Sequence, residues 1–575
     1  MKRTKGRHAT KPEPPVAPEP RSRRPWVIAC AIVAVWFWLY ELYSPALRGP
    51  FLFDDLYLPF QVPGFVDKPL SAWISGVRPL LMFTFWLNVR LWGLDPYYFH
   101  LVNVLLHFMA GALVFLILRR LLEYARESGA KAVWLAAFGA AVFLVHPVQT
   151  ESVAYIASRS EALSVLLLWA AYALFLFRPA HPVSFRRALV ILTVFGAAVL
   201  TKEHTAALPM VFLLTDYFWN PGFRFEGIRK NWRLYLPILA GGFLGLTFIW
   251  RILSSADSAG FAMKDLPWQH YFLTQCRALW VYLRMLVWPA GQNLDHDFPI
   301  SRSLFDHGAI VGMAGLIALA ALAWFYRKRY PLAAFGFFTA LILFAPTSSV
   351  APIRDTLVER RLYLPLAGLL MVALDLIRRW KAPPAMLAAA LSLALAGLSA
   401  TTWTRNHVWS NAIALWEDSV AGAPNKARPR FQLAHAHYSQ GRCPEAVAHY
   451  ARAAELTKPD YSLLVDWALA LDCAGKLDEA LQKLNQAAAV ERTAHVLSLT
   501  GMILAKQGSL ERALSALNEA IQRDADYDMA YAYRGNVFYS LGQHSSARAD
   551  YQKSLSLNPT NSVAQQGLRL LPAGT

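Results

Sequence analysis

Charge is scarce in this chain. Of its 575 residues only 16% are charged and 56% are hydrophobic, whereas soluble domains carry about 25% charged residues. The composition excludes an ordinary soluble protein and predicts one embedded in membrane lipid. The formal net charge of +18 does not indicate a nucleic acid partner, because the basic residues lie between apolar runs, as membrane topology signals do.

Cysteine is scarce too, and two familiar kinds of site are missing. The four cysteines have no metal-binding spacing, and no G-x-x-x-x-G-K segment offers a loop for nucleotide phosphates. The sequence therefore predicts no cofactor with certainty and leaves a divalent metal open. Asp295 and Asp297 flank a histidine, but three residues are too few to define a metal site.

Long apolar runs are what the sequence has in abundance. A bilayer core of about 30 Å needs about 20 helical residues, and eleven runs approach that length. We predict an all-α membrane core over 26–403 with spans at 26–43, 98–118, 132–147, 161–177, 187–201, 206–219, 232–252, 308–325, 331–347, 361–378 and 384–403.

Lysine and arginine in alternate loops predict the orientation of the core. Residues 1–25 form a basic, proline-rich tail that we expect to be disordered and cytoplasmic. The loops facing outward are then 44–97, 148–160, 202–205, 253–307 and 348–360, together with everything after 403. Two amphipathic stretches in these loops, 78–94 and 271–288, predict helices lying in the membrane interface.

A repeat begins after a linker over 404–426. Gly441, Gly475, Gly508 and Gly542 lie 34, 33 and 34 residues apart, and each is followed five residues later by alanine. This period predicts four helix–turn–helix units over 427–561, stacked as an α-solenoid, followed by a tail over 562–575. Cys443 and Cys473 lie near turns at one edge of that stack, and an oxidising compartment would allow a disulfide between them.

The candidate site residues lie in the outer loops, at the ends of spans. Asp54 and Asp55 are expensive beside a span unless they have a function, and as neighbours they cannot point the same way. One is predicted to face a substrate while the other binds a structural partner or a metal. The remaining candidates bring cations, carboxylates and imidazoles to the same side: His146, Glu151, Lys202, Glu203, His204, Arg360, Arg361 and Tyr363.

Each of these motifs has an ordinary structural alternative: a solvated turn for the aspartates, an ion-paired hairpin tip for Lys202–His204, and headgroup anchoring for the two arginines. The functional alternative is a site that takes a proton at a carboxylate and holds an anionic phosphate with cations. Since nucleotide-sugars are scarce outside the cytoplasm, a phosphate-bearing donor anchored in the membrane fits that site better.

In their order, these motifs resemble the transmembrane-and-TPR-containing (TMTC) O-mannosyltransferases, which have the GT-C glycosyltransferase fold. The resemblance rests on Phe53-Asp-Asp, His146-Pro-Val-Gln-Thr-Glu-Ser-Val-Ala-Tyr, Lys202-Glu-His, Glu359-Arg-Arg-Leu-Tyr-Leu-Pro, Arg405-Asn-His-Val-Trp and the trailing tetratricopeptide (TPR) repeats. It covers the chain from about residue 26, and the compact length resembles bacterial relatives. It implies a multi-pass protein of the bacterial inner membrane, with the repeats in the periplasm.

The resemblance also implies a reaction. A sugar would pass with inversion from a polyprenyl-phosphate donor to a hydroxyl, expected on a protein held by the repeats, with Asp54 as general base and Asp55 in support. Lys202, His204, Arg360 and Arg361 would hold the donor phosphate, with His146, Glu151, Glu203 and Tyr363 supporting them. The competing hypothesis is a non-catalytic membrane scaffold whose repeats recruit periplasmic partners.

Overall fold

The computed structural model describes residues 25–178, 182–255 and 260–572, which form helices and the loops between them. The predicted basic tail lies outside these residues except for Pro25. Besides short 3₁₀ turns, the described residues of the core form sixteen α-helices: α1 Pro25–Tyr43, α2 Leu70–Trp73, α3 Pro79–Trp92, α4 Pro96–Tyr124, α5 Gly129–Val145, α6 Thr150–Ala154, α7 Arg159–Leu176, α8 Phe185–Val199, α9 Leu208–Trp219, α10 Glu226–Lys230, α11 Trp232–Ser255, α12 Trp268–Val287, α13 Ala309–Phe325, α14 Pro331–Phe344, α15 Leu366–Ile377 and α16 Pro384–Val408.

All eleven predicted spans are helical, with shifted ends. Five helices are long and apolar enough to cross a bilayer: Pro25–Tyr43, Pro96–Tyr124, Ile156–Leu176, Asp306–Phe325 and Pro384–Val408. A sixth span is counted if α5 and the segment Pro147–Ala154, which meet at a 52° bend, form one. These findings apply to the described residues, and the number eleven stays a prediction. The stretches predicted to lie in the interface are the helices α3 and α12, and neither is among the five.

The core is organised around α4, which packs against α5 and α7. Asp95 caps its first turn by accepting a hydrogen bond from Tyr97 N at 3.0 Å, and Pro96 occupies the first helical position, as is common in helices. Elsewhere, close approach depends on glycine. A Cβ on Gly368 of α15 would lie 2.7 Å from the carbonyl oxygen of Gly336 in α14, so a larger residue would separate these helices.

The C-terminal part is a stack of four helix pairs, as predicted: α18 Ala427–Ser439 with α19 Cys443–Leu456, α20 Tyr461–Cys473 with α21 Leu477–Val490, α22 Ala494–Lys506 with α23 Leu510–Arg523, and α24 Asp528–Ser540 with α25 His544–Leu557. The periodic glycines have φ between 72° and 78° and close each pair's turn, a left-handed conformation that glycine adopts without strain. The alanines five residues later are buried, and α26 Ser562–Leu570 packs on the last pair.

Two details of the repeat region go beyond the sequence prediction. Cys443 and Cys473 form a disulfide, with their Cα atoms 5.8 Å apart. Residues 404–426 are mostly helical, although a linker was expected there. The helix α16 continues to Val408, and α17 Ala412–Gly422 packs on α18, because Trp409 and Trp416 are buried at the junction of core and repeats.

Polar contacts fix the first repeat to the outer loops of the core. Arg428 donates from Nε to Asp295 at 2.6 Å and from a terminal nitrogen to Asp355 at 2.7 Å. Lys426 also pairs with Asp295, at 2.5 Å. The side chain of Asn293 exchanges two hydrogen bonds with Ser419 in α17. The repeats are therefore attached on the side of the core that carries the candidate site residues.

Candidate functional site

The two adjacent aspartates lie in one turn of 3₁₀ helix, Phe53–Tyr57, and have opposite environments. Asp55 is 1% exposed, and its two carboxyl oxygens accept hydrogen bonds from Leu52 N at 3.0 Å and Ala157 N at 2.7 Å. Asp54 is exposed. Asp55 therefore fastens the turn to the loop after α6 and leaves Asp54 facing outward, the division of roles that their adjacency predicted.

Burial raises the pKa of the Asp55 carboxyl to about 8, against the opposing effect of the two backbone N–H donors. A pKa near neutrality would suit a general base, but a base must first reach the proton that it removes. Both oxygens of Asp55 already face backbone donors inside the protein. The geometry therefore favours Asp54 as the group available to a substrate.

The residue before the aspartates has a strained backbone. Phe53 has a φ of 50°, a conformation that costs a non-glycine residue roughly 1–3 kcal/mol and persists only where the surroundings enforce it. Its ring packs edge-on against Trp416 at 5.5 Å, and the Arg428 guanidinium lies 5.6 Å from the ring centre. The first repeat and α17 thus hold the turn that presents Asp54.

Tyr155 connects the aspartates to the cations, and the sequence analysis did not single it out. Its hydroxyl accepts a hydrogen bond from Asp54 N at 2.7 Å, and its ring packs on Trp409 at 5.7 Å. Burial and the two aspartates raise the pKa of Tyr155, while Arg360 lies near enough to oppose them. Tyr155 therefore stays a neutral hydroxyl between Asp54 and Arg360. Its position in the predicted motif, nine residues after His146, was the available signal.

Three cations form a cluster that interacts with this tyrosine through Arg360, and each is paired with a glutamate from a distant segment. Arg360 donates to Glu151 at 2.5 Å, and its backbone N–H donates to the other carboxylate oxygen at 2.9 Å. Lys202 pairs with Glu161. Electrostatic interactions connect Lys202 with Arg360, so the sequence motifs of α6, the α8–α9 loop and the 3₁₀ helix Glu359–Leu362 converge.

The third cation, Arg78, was predicted only as part of an interfacial helix. It immediately precedes α3, and its guanidinium donates two hydrogen bonds to the carboxylate of Glu203, of 3.2 and 3.0 Å. Burial raises the pKa of Glu203, but the charge of Arg78 and its hydrogen bonds act in the opposite direction. The net effect is a lowered pKa, so the carboxylate stays ionised. Arg78 and Glu161 are thus two members of the cluster that the sequence analysis missed, because nothing local marks either of them as a partner.

The cations of the cluster keep partial access to solvent. Their side chains are 39% exposed at Arg78, 18% at Lys202 and 24% at Arg360. Burial lowers the pKa of Lys202, and Glu161 counteracts this. Burial also opposes the charge of Arg360, but Glu151, Tyr155 and Glu161 together raise its pKa. The arrangement offers fixed positive groups whose outer edges are open to an anionic ligand.

His204 and Arg361, predicted to hold phosphate, are placed differently. The His204 ring is buried beside Glu161, with 3.4 Å between Nε2 and the carboxylate. Burial lowers its pKa to about 4, so it is not a cation at neutral pH, contrary to the expectation of two cations in this hairpin. Arg361 is directed to the Tyr271 hydroxyl at 3.1 Å and to two backbone carbonyls. Its contacts support the loop that carries Arg360.

All four predicted supporting residues are hydrogen-bonded, and three of them, His146, Glu151 and Tyr363, are buried, whereas Glu203 is partly exposed. His146 Nε2 lies 2.9 Å from the carbonyl oxygen of Leu286, which connects the end of α5 to α12. Tyr363 shares a 2.8 Å hydrogen bond with His107 of α4. Both residues connect segments of the site to helices of the core. In the described part of the chain, neither of them has a hydrogen bond to Arg78, Lys202 or Arg360.

The Asp295–Asp297 segment offers no metal centre in the part of the chain that the structure describes. Asp295 is neutralised by Lys426 and Arg428, and Asp297 is exposed. No group of three His, Cys, Asp or Glu side chains that could hold a metal occurs in the described ranges. The neighbouring His296 instead lies 3.0 Å from Glu359, whose carboxylate also accepts from Asn293 N at 2.6 Å.

The fold defines a class of protein: a membrane-type helical core with tetratricopeptide repeats attached on the side of its polar site. The repeats match the tetratricopeptide repeat family at residues 431–495, 465–528 and 529–561.

Roughly three quarters of the chain is similar to proteins named protein O-mannosyl-transferase. One from Caenorhabditis elegans is 24% identical, with 73% of this chain and 61% of that one aligned. TMTC1 of Homo sapiens is 26% identical, with 72% and 54% aligned. Tmtc3 of Drosophila melanogaster is 24% identical, with 82% and 60% aligned. These relatives confirm the resemblance drawn from the motifs. The chain spans little more than half the length of each of them.

Proposed function

We propose that this protein is a membrane glycosyltransferase that moves a sugar from a polyprenyl-phosphate donor to a hydroxyl of a protein acceptor. Mannose is the sugar that the names of the relatives suggest. The observation that supports the proposal is the position of Tyr155, whose hydroxyl is bonded to the backbone of Asp54 and lies within electrostatic range of Arg360, one of the three cations. The names of the relatives support the reaction class.

In the proposed reaction, the acceptor hydroxyl loses its proton to the Asp54 carboxylate as its oxygen attacks C1 of the sugar. The bond from C1 to the phosphate oxygen breaks, and its electron pair leaves with the lipid phosphate. Attack opposite the leaving group inverts the configuration at C1. The sugar then sits between Asp54 on one side and the cations on the other.

The cations would stabilise the negative charge that develops on the departing phosphate. Their glutamate partners Glu151, Glu161 and Glu203 fix them in place before the donor arrives, so little reorganisation is needed. Arg360 and Lys202 would contact the phosphate by their outer edges, and Arg78, at the start of α3, would meet it from the membrane side.

Asp54→Asn tests the general base. Asparagine keeps the size and exposure of the side chain but cannot accept the proton, so transfer from polyprenyl-phosphate mannose should fall by about 10²–10⁴-fold. Mannose incorporation is measured in membranes containing equal amounts of each variant. Asp67→Asn, which changes another exposed aspartate of the same outer loop, is the matched control and should keep full activity.

Retained transfer in Asp54→Asn would exclude this residue as the base. Absence of transfer in the unmodified protein, with donor and acceptor proteins supplied, would favour the alternative of a non-catalytic scaffold.

We further propose that the chain lies in the bacterial inner membrane with its repeats in the periplasm. The Cys443–Cys473 disulfide supports this, since such bonds persist in oxidising compartments. In cells carrying a variant without Cys30 and Cys276, a membrane-impermeant maleimide should label Cys473, which is exposed, only after a reductant is added. Labelling that requires permeabilised inner membranes would reverse the orientation.

A further inference from the structure

A cleft separates the turn that carries Asp54 from the first repeats. Its volume is about 270 Å³, and its walls come from Phe53, Leu56 and Tyr57 on one side and from α18, α20 and α22 on the other. Tyr57 is 81% exposed and Leu56 48% exposed, which is unusual for large apolar side chains beside a polar site. The cleft therefore lies between the surface of the repeats and the turn that carries the proposed base, with Phe53, the neighbour of Asp54, in its wall.

Aromatic rings continue from the cleft along successive repeats. Tyr461 at the start of α20, His495 at the start of α22 and Tyr527 just before α24 form a row, with ring centres 6.4 and 6.2 Å apart. The Tyr461 hydroxyl also lies 3.2 Å from His495 Nδ1. A row of rings with polar edges, one per repeat, suits an extended polypeptide, which presents a side chain at regular intervals.

One carboxylate in the cleft has no counter-ion. Asp466 in α20 lines the cleft and is half-buried, and within the described residues it has no hydrogen bond or ion pair. Burial raises its pKa, and His435 opposes this. By contrast, Asp295, Asp355 and Asp472, at other positions around the repeats, are each paired with a lysine or arginine.

A carboxylate without an ion-pair partner, surrounded by aromatic rings, favours the binding of a cation. The carboxylate supplies the opposite charge, and the faces of rings such as Tyr461 attract a lysine or arginine side chain. Such a ligand group would also relieve the cost of leaving Asp466 partly buried without a partner.

We infer that this cleft selects the acceptor, binding an extended segment that carries a lysine or arginine near the hydroxyl to be modified. The cation pairs with Asp466, the chain runs along the Tyr461–Tyr527 row, and the hydroxyl reaches Asp54. This inference rests on the proposed function for its biological meaning, but the binding itself is measured without the reaction.

The test compares two fluorescent peptides, each with a single threonine, flanked by lysines in one and by glutamates in the other. Binding to the full-length protein in lipid nanodiscs, without donor, is followed by fluorescence anisotropy. The lysine peptide should bind about tenfold more tightly, as expected for one favourable ion pair replaced by one repulsion. Asp466→Lys should reverse the preference, and Asp466→Asn should abolish it.

Asp478→Lys is the matched control, since it reverses an exposed charge of the same repeat outside the cleft and should leave the preference intact. Equal binding of both peptides to the unmodified protein would overturn the inference, as would equal effects of the two lysine variants. Transfer assays with the same peptides separate the proposals. Predicted binding without any transfer refutes the proposed function alone, and transfer to both peptides with equal KM refutes the inference alone.

Discussion

Asp55→Asn should damage the fold of the site, where Asp54→Asn damages only its chemistry. Asparagine keeps one acceptor oxygen but replaces the other by an NH₂ group. In the Phe53–Tyr57 turn that NH₂ would face either Leu52 N or Ala157 N, donors now 3.0 and 2.7 Å from the carboxyl oxygens. One buried N–H would lose its partner and meet a second donor.

The expected loss of folding stability follows from this single unsatisfied N–H group. One buried donor left unsatisfied costs about 1–3 kcal/mol, and Asp55, at 1% exposure, has no water to replace the lost acceptor. Asp54 is exposed, and substitutions of that kind change stability by about 0.5 kcal/mol or less. The two variants should therefore separate in stability even though they differ by one position.

Thermal unfolding in detergent, combined with limited proteolysis of the 44–97 loop, measures this difference. Asp55→Asn should unfold at a lower temperature and lose the loop to protease faster, while Asp54→Asn matches the unmodified protein in both measurements. The reasoning is refuted if Asp55→Asn is as stable as the unmodified protein and it is Asp54→Asn that opens the loop.

Two further predictions concern pH and the junction between core and repeats. Because burial raises the pKa of Asp55 to about 8 in the folded state, its contribution to stability is complete below its unfolded pKa, near 4, and is lost as pH rises through about 8. The unfolding temperature of the unmodified protein should accordingly fall over that interval by more than that of Asp55→Asn, and equal slopes would contradict the assignment. Arg428→Ala removes the guanidinium shared by Asp295 and Asp355 and should weaken the junction by roughly 1–3 kcal/mol, seen as faster proteolysis at residues 423–426. Arg442→Ala, which removes an exposed arginine in the turn of the same repeat, is the control, and equal cleavage of both variants would show that the shared guanidinium does not hold the junction.

The repeats and most helices were predictable because their signals are local. A turn closed by glycine at positive φ and an alanine that lets two helices approach recur every 33 or 34 residues whatever lies around them. Long apolar runs likewise mark helices by composition alone. The opposite environments of Asp54 and Asp55 followed from the geometry of adjacent residues.

The features that were not predictable depend on contacts between segments distant in sequence. A linker was expected at 404–426 because the segment is mostly polar. Its two tryptophans, at the end of α16 and in α17, are buried against the core, and composition alone does not reveal this contact. His204 was one of two possible cations in its hairpin, but its charge depends on burial beside Glu161, which no local pattern reports. Asp295, which the sequence left open as a weak metal ligand, is paired with Lys426 and Arg428, 131 and 133 residues away in sequence.

Residue type and spacing are enough to establish that this chain is helical, membrane-like in its first part and repetitive in its second. Which charges meet depends on the packing of distant helices. Arg78 pairs with Glu203 across 125 residues and Arg360 with Glu151 across 209, and ion pairs at such separations form only where packing brings their helices together. The same packing places Tyr155 between the turn of Asp54 and Arg360, and Asp466 in a cleft with that turn on its other side.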